Sequence, residues 1–396
     1  MCLAKNLLNQ KRARKNNSMH ILESQRIAIL DMIRGFALLG ILIVNTPSLN
    51  TPAHMDTSDF AFQVSSADHV VTKIIFNGAM DCFYPIFALL FGIGAALFLS
   101  KERPSITKLY LRRLLFLCII GIFHAFLVWW GDILIVYSVL GIFLLFFYSW
   151  QPKNILKLIG SIFAAIYLIA LVQSLGPAGA LGIFAGPDTF LIYSQGSFYD
   201  VTIQRMHDWV RAFFLNAKPI DTFIYFLRMF GIMLLGMWVH KQKILHKLEE
   251  NSKLLGLFIL FLLIINIITS LFPEIIWPFR GLSRGLLYIL ILLGITKNKL
   301  VYKFLAPLAY NGRMSMTNYL GFNICLSIIF YGYGLGIYGS MGPARQMIIA
   351  FMLYFIFLGL SALWLSHFRF GPFEYLWRLA TYGDIVKAER KILTNS

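Results

Sequence analysis

The chain has 396 residues, of which 58% are hydrophobic and 13% charged, and its mean hydropathy is +0.71. Soluble domains carry roughly 25% charged residues, so the composition excludes them and describes a polytopic membrane protein with one continuous helical domain. The net charge of +17 raises nucleic acid as a partner, but the basic residues are distributed as membrane topology demands, and no nucleic acid is needed to explain them.

Residues 1–25 form a basic segment that includes KRARK. It has neither an apolar core nor a small-residue cleavage site, so no removable signal peptide is expected, and everything resembling structure follows Met19. Apolar runs of about 17–25 residues then predict an all-α bundle of ten spans. In chain order these are 30–48, 79–99, 113–130, 133–149, 155–175, 220–239, 254–272, 281–296, 315–334 and 346–366. An even number of spans leaves both termini on one side. Placing them inside puts most of the 35 Lys and Arg there, including KERPSITKLYLRR, HKQKILHK, KNKLVYK and the tail at 384–396. Positive-inside bias therefore predicts a cytoplasmic location for both termini. Cys2, Cys82, Cys118 and Cys325 are isolated, which gives neither a disulfide framework nor a metal pattern.

Two outer segments are longer than turns. Residues 49–78 carry His54, Asp56, Asp59, Asp68 and His69. Residues 176–219 begin with GPAGALGIFAGP and become amphipathic in VTIQRMHDWVRAFFL. The pattern there suits an interfacial helix, with Trp209, Phe213 and Phe214 in the boundary and Arg205, Asp208 and Arg211 in water. The C-terminal FRFGPFEYLWRLATYG predicts a second surface helix, with Pro372 in its first turn and Glu374 and Arg378 at i,i+4.

The chemistry-bearing residues repeat an offset. Arg34 precedes Asn45 in RGFALLGILIVN, and Arg113 precedes His124 in RLLFLCIIGIFH. Eleven positions return to nearly the same helix face and set the polar residue roughly 16 Å deeper, near mid-bilayer. Asn45 reads either as a helix-packing amide or as part of a site; Asp31 pairs with Arg34 at i,i+3. His124 is either a helix bridge or a proton-handling group, for which an imidazole is suited near neutral pH. Asp132, after a glycine turn in WWGDILIVY, is either an N-cap or the orienter of that imidazole. Arg34, Arg112, Arg113 and Arg313 stand at the inner ends of helices. They satisfy topology alone, or else they gather the phosphates of an acyl-coenzyme A. Ser315, Thr317 and Asn318 follow Arg313 at a helix start, where free N–H groups add anion affinity. The sequence contains no Walker, dinucleotide or HExxH motif and predicts no metal site.

The segments LDMIRGFALLGILIVN, FALLFGIGAALF, RRLLFLCIIGIFHAFLVWWGDILIVYSVLG, NGRMSMTNYL and FGPFEYLWRLATYG together resemble the YeiB family of bacterial membrane proteins. The resemblance runs over about residues 26–383 and implies an inner-membrane protein. The first helix is similar in turn to the wider transmembrane acyltransferase superfamily, whose sugar O-acyltransferase branch has a catalytic histidine where this chain has Asn45. In the heparan-type branch asparagine occupies that place and the histidine lies in the outer loop, for which His69, or less well His54, is the loose counterpart. The resemblance implies acyl transfer from cytoplasmic acyl-CoA, as co-substrate, to an envelope glycan or lipid. His124 is then the base, Asp132 or Asn45 positions it, and Arg34, Arg112, Arg113 and Arg313 hold the CoA. A transporter or flippase fits the same buried histidine and basic mouths.

Overall fold

A computed structural model of the protein describes residues 28–51, 65–101, 103, 105–174, 188–215, 219–271 and 273–383. The basic segment 1–25, His54 and the tail 384–396 lie outside the described residues. The described residues form helices joined by turns and loops, with no strand among them, and each of the ten predicted spans overlaps one helix for most of its length. In chain order the helices begin with α1 (Ala28–Asn50), then α2 (Ser66–Ile74), which runs through a π-turn at Ile75–Ala79 toward α3 (Phe83–Leu99). A hairpin of α4 (Ile106–Leu127) and α5 (Leu134–Tyr148) follows, then α6 (Pro152–Ser174). Two shorter helices come next, α7 (Thr189–Gln195) and α8 (Phe198–Val210), before α9 (Pro219–Lys241), α10 (Ile244–Glu250), α11 (Ser252–Leu271) and α12 (Pro273–Ile295). The last group is α13 (Lys299–Leu305), α14 (Leu308–Arg313), α15 (Ser315–Phe330), α16 (Pro343–His367) and α17 (Pro372–Tyr382).

Seven of these stretches are long and apolar enough to cross a membrane, and α5 and α15 are shorter apolar helices among them. Exposed Leu257, Phe261 and Ile264 on α11, and Ile348, Phe355 and Leu363 on α16, face outward as lipid contacts do.

Without a hydrophobic drive between helices inside lipid, close backbone approach through small residues holds a bundle together. The central pair α3 and α9 show this reciprocally. A Cβ on Gly92 meets the Met233 carbonyl oxygen at 1.9 Å, and one on Gly236 meets that of Leu89 at 2.1 Å. The same device joins α1 to α14: a Cβ on Gly35 meets the Leu308 oxygen at 2.0 Å, and one on Gly312 meets that of Asp31 at 1.7 Å. That second contact draws Arg34 and Arg313, far apart in sequence, to the lining of one cavity.

The structure corrects three expectations. Helix α4 starts at Ile106, seven residues before the predicted span, because the basic KLYLRR stretch continues the helix beyond its apolar part. The helix also ends at Leu127, three residues short of the predicted span, so His124 stands in its last turn. Helix α8 forms where expected, capped by Ser197 through a reciprocal bond with Asp200, but it covers the end of α4 instead of presenting its charges to water. Arg205 is fully buried, donating to the Leu127 carbonyl (2.7 Å) and the Tyr333 hydroxyl (2.6 Å). Asp208 is buried too and accepts from Tyr193 at 2.6 Å and Gln204 at 2.8 Å. Burial holds its carboxyl above the ordinary carboxylate range, against the opposing pull of those two bonds.

Candidate functional site

The α4–α5 hairpin sets two of the predicted residues against each other. The last turn of α4 closes when the Val128 and Trp129 N–H groups both donate to the His124 carbonyl. The chain then turns back through Gly131, and Asp132 returns beneath the imidazole. Its Oδ1 lies 2.8 Å from His124 Nδ1, and its Oδ2 accepts the Ile135 N–H at 2.8 Å in the first turn of α5, where Ile133 rather than Asp132 is the N-cap. Gly121, one turn before His124, makes room for this; a Cβ there meets Asp132 Oδ2 at 3.0 Å. Asp132 thus fixes the ring with its proton on Nδ1 and leaves Nε2 as the acceptor.

Sequence reasoning missed the third member, Asn323 of α15, whose Nδ2 lies 3.0 Å from His124 Nε2. His124, Asp132 and Asn323 are each no more than 2% exposed. Tyr319, one turn earlier on α15, packs on the imidazole with ring centroids 4.9 Å apart. The only sequence signal for these two was a pair of polar residues inside the apolar run YLGFNICL.

His124, Asp132 and Asn323 themselves line neither of two cavities in the bundle, but the larger, of about 540 Å³, reaches Tyr319. Its mouth carries Arg34, Lys101, Arg113, Arg313, Arg369 and Arg378 beside the acidic Asp31 and Glu374. Its body is apolar, lined by Phe87, Leu90, Phe91 and Leu117, and it ends at Ile133, Tyr137 and Tyr319. Arg34 is held by Asp31 at 2.6 Å, and Arg113 lies 3.5 Å over the Trp377 ring. Three of the four predicted arginines thus converge, while Arg112 is exposed and lines no part of the cavity. Adjacent helix positions point about 100° apart, so Arg113 faces inward and its neighbour cannot.

The start of α15 is not the open anion site the sequence suggested. The Glu374 carboxylate accepts from the Met316 N–H (2.7 Å), the Thr317 N–H (3.0 Å) and the Thr317 hydroxyl (2.5 Å). Glu374 was expected to pair along α17 with Arg378; it caps a neighbouring helix instead. Arg378 lies 4.0 Å over the Phe370 ring.

Asn45 is not part of the histidine cluster. It lines a second cavity, of about 170 Å³, with Asp81, Tyr84, Trp129 and Tyr225. Both cavities touch Ile41, Ile133 and Tyr319, so these side chains form the partition between them. His69 is exposed on α2 and lines neither cavity. No group of three or more His, Cys, Asp or Glu among the described residues is arranged to hold a metal.

An apolar helical bundle of this kind, with seven helices long and apolar enough to cross a membrane among the described residues, defines a polytopic membrane protein. Residues 239–384 match the family profile described as protein of unknown function (DUF418). Across nearly its whole length the chain is 32% identical to the uncharacterized protein YxaH of Bacillus subtilis (strain 168), over 386 residues that cover 91% of this chain and 95% of the relative. It is 30% identical over 374 residues, 90% of this chain and 94% of the relative, to an uncharacterized 39.9 kDa protein in the amylase 3' region of Bacillus acidopullulyticus. It is 26% identical over 395 residues to the uncharacterized protein YeiB of Escherichia coli (strain K12), covering 90% and 96%. The chain belongs to this YeiB-like DUF418 family.

Proposed function

We propose that the protein is a membrane-bound acyltransferase that takes acyl-CoA from the cytoplasmic side of a bacterial inner membrane, with both termini on that side. One observation carries the reading: a single cavity has a cationic mouth suited to several phosphates and an apolar body that ends against Tyr319, whose ring packs on His124. Arg34, Arg113 and Arg313 would hold the phosphates, while the thioester lies inward. The acceptor is an envelope glycan or lipid that enters from the second cavity.

In the transfer, His124 Nε2 takes the proton of the acceptor's hydroxyl or amine as that atom attacks the thioester carbon. The C–S bond breaks, and the imidazolium returns the proton to the departing CoA sulfur. Asp132 keeps Nδ1 protonated and stabilises the imidazolium. Nε2 is the atom that Asn323 now covers, so the base is exposed only when that amide turns aside. The competing reading is a transporter, favoured by the two cavities that meet at one partition.

Titration of detergent-purified protein with acetyl-CoA and longer acyl-CoAs, read by calorimetry or thermal shift, separates the two. Saturable binding is expected. Gly94 lines the cavity and a Cβ there meets nothing within 4 Å, so Gly94→Phe should fill the chamber, abolish binding and leave folding intact. No response to millimolar acyl-CoA in the wild type removes the enzyme reading and leaves transport.

A further inference from the structure

The second cavity has features that the proposed transfer does not use. Asp81 adopts φ of +63°, a left-handed conformation that a non-glycine residue enters at a cost and that aspartate tolerates better than most. Helix α12 pins this turn, since a Cβ on Gly281 meets the Asp81 carbonyl oxygen at 2.1 Å. The held carboxylate lines the cavity, is solvent-exposed, and makes no ion pair among the described residues. Around it stand the rings of Phe83, Tyr84, Trp129 and Tyr225, with the Asn45 amide.

Aromatic faces about a carboxylate attract an organic cation, through the ring quadrupoles and the charge together. A second observation is independent of the charge. Trp129 is 6% exposed, yet its indole Nε1–H has no hydrogen-bond partner among the described residues. A buried donor of this kind calls for an acceptor atom, at a cost of about 1–3 kcal/mol when none is supplied. The opposing features are Arg228, whose guanidinium lies 5.4 Å over the Tyr84 ring, and Arg284, whose charge interacts with Asp81; both are outside the lining, but their charges work against a bound cation. The test must therefore separate a charged ligand from its neutral counterpart.

We propose that this cavity binds a small amino alcohol as its ammonium ion, with the nitrogen at Asp81 and the hydroxyl oxygen accepting from Trp129 Nε1. The cavity of about 170 Å³ limits the ligand to a head group of a few heavy atoms. As a binding site the assignment stands alone; as the acceptor site of acyl transfer it rests on the function proposed above. The same chemistry arrives either as a free amine or as the head group of an ethanolamine lipid.

Binding is measured on the full-length purified protein without acyl-CoA, by calorimetry or tryptophan fluorescence. The probes are ethanolamine, its neutral isostere ethylene glycol, and nanodiscs of phosphatidylethanolamine against phosphatidylglycerol. Ethanolamine should bind saturably, and ethylene glycol at least about tenfold more weakly. Asp81→Asn, which keeps the left-handed turn accessible, should weaken ethanolamine by about tenfold while the protein stays monodisperse. Trp129→Phe keeps the ring and should weaken it by a smaller factor through the lost N–H. A response confined to the phosphatidylethanolamine nanodiscs assigns the ligand to the lipid, and a response to the soluble amine assigns it to the free form. No binding in any arm, equal binding of ethylene glycol, or an unaffected Asp81→Asn protein overturns the proposal. Acyl-CoA titration of the same sample reports separately on the transfer reading.

Discussion

Substituting His124 separates a proton-handling role from a packing role, because the ring holds one partner on each nitrogen. Asp132 lies at 2.8 Å and Asn323 at 3.0 Å. A glutamine amide carries a donor and an acceptor at nearly the spacing of the two imidazole nitrogens, so His124→Gln can donate to Asp132 and accept from Asn323. Its cost to stability should be about 1 kcal/mol, the scale of an imperfect hydrogen bond. His124→Ala leaves a buried carboxylate oxygen and a buried amide without their partner, at about 1–3 kcal/mol each. The alanine protein should therefore lose about 2–6 kcal/mol, a large share of the 5–15 kcal/mol that typically holds a domain together. The assay pairs release of CoA thiol with thermal unfolding and monodispersity of each variant. If His124 takes the proton, His124→Gln stays folded but turns over about 10²–10⁴-fold more slowly, because an amide cannot cycle a proton near neutral pH. A folded His124→Gln protein with wild-type turnover refutes the reasoning and reduces the cluster to a helix clamp.

Two other expectations concern the ends of the bundle. Burial holds the Glu374 carboxyl above its ordinary range, with the Thr317 and Met316 bonds pulling the other way. The folded state then keeps this proton to higher pH than the unfolded chain, so the group's contribution to stability falls as pH rises from the ordinary carboxylate range through the raised value. The melting-temperature difference of Glu374→Gln minus wild type should accordingly become more positive from about pH 4 to pH 7, and a flat or falling difference contradicts it. For orientation, Tyr199 is 71% exposed, and Tyr199→Cys spares Ser197, whose hydroxyl caps α8. An impermeant maleimide should label it from outside intact cells; labelling only after the inner face is opened reverses the topology.

The parts of the site that could be read from sequence are those that short chain segments enforce. His124 and Asp132 are eight residues apart on one hairpin, and a glycine turn between two apolar runs is enough to bring them together. Asn323 lies 199 positions from His124, and no local pattern says which face of α15 meets α4. The Arg34–Asn45 offset predicts one shared site on α1, but Arg34 lines the first cavity and Asn45 the second. Arg205 and Asp208 were misplaced because an amphipathic helix on a membrane and one that buries its polar side under an aromatic cap share the same periodicity. The helix itself was legible; its neighbour was not.

The order in which a ribosome delivers this chain bears on how the basic cavity comes to exist. Its walls begin with α1, yet its cover is α17, fastened by Glu374 to α15 and by the Trp377 indole to the Arg113 carbonyl at 2.8 Å. Domains form in the sequence in which they are made. During synthesis, then, Arg34 and Arg113 are inserted long before the residues that enclose them. A chain that stops just ahead of residue 372 lacks the Glu374, Trp377, Arg378 and Tyr382 side chains that line the cavity. Completion of the chain is thereby also the step that closes the chamber.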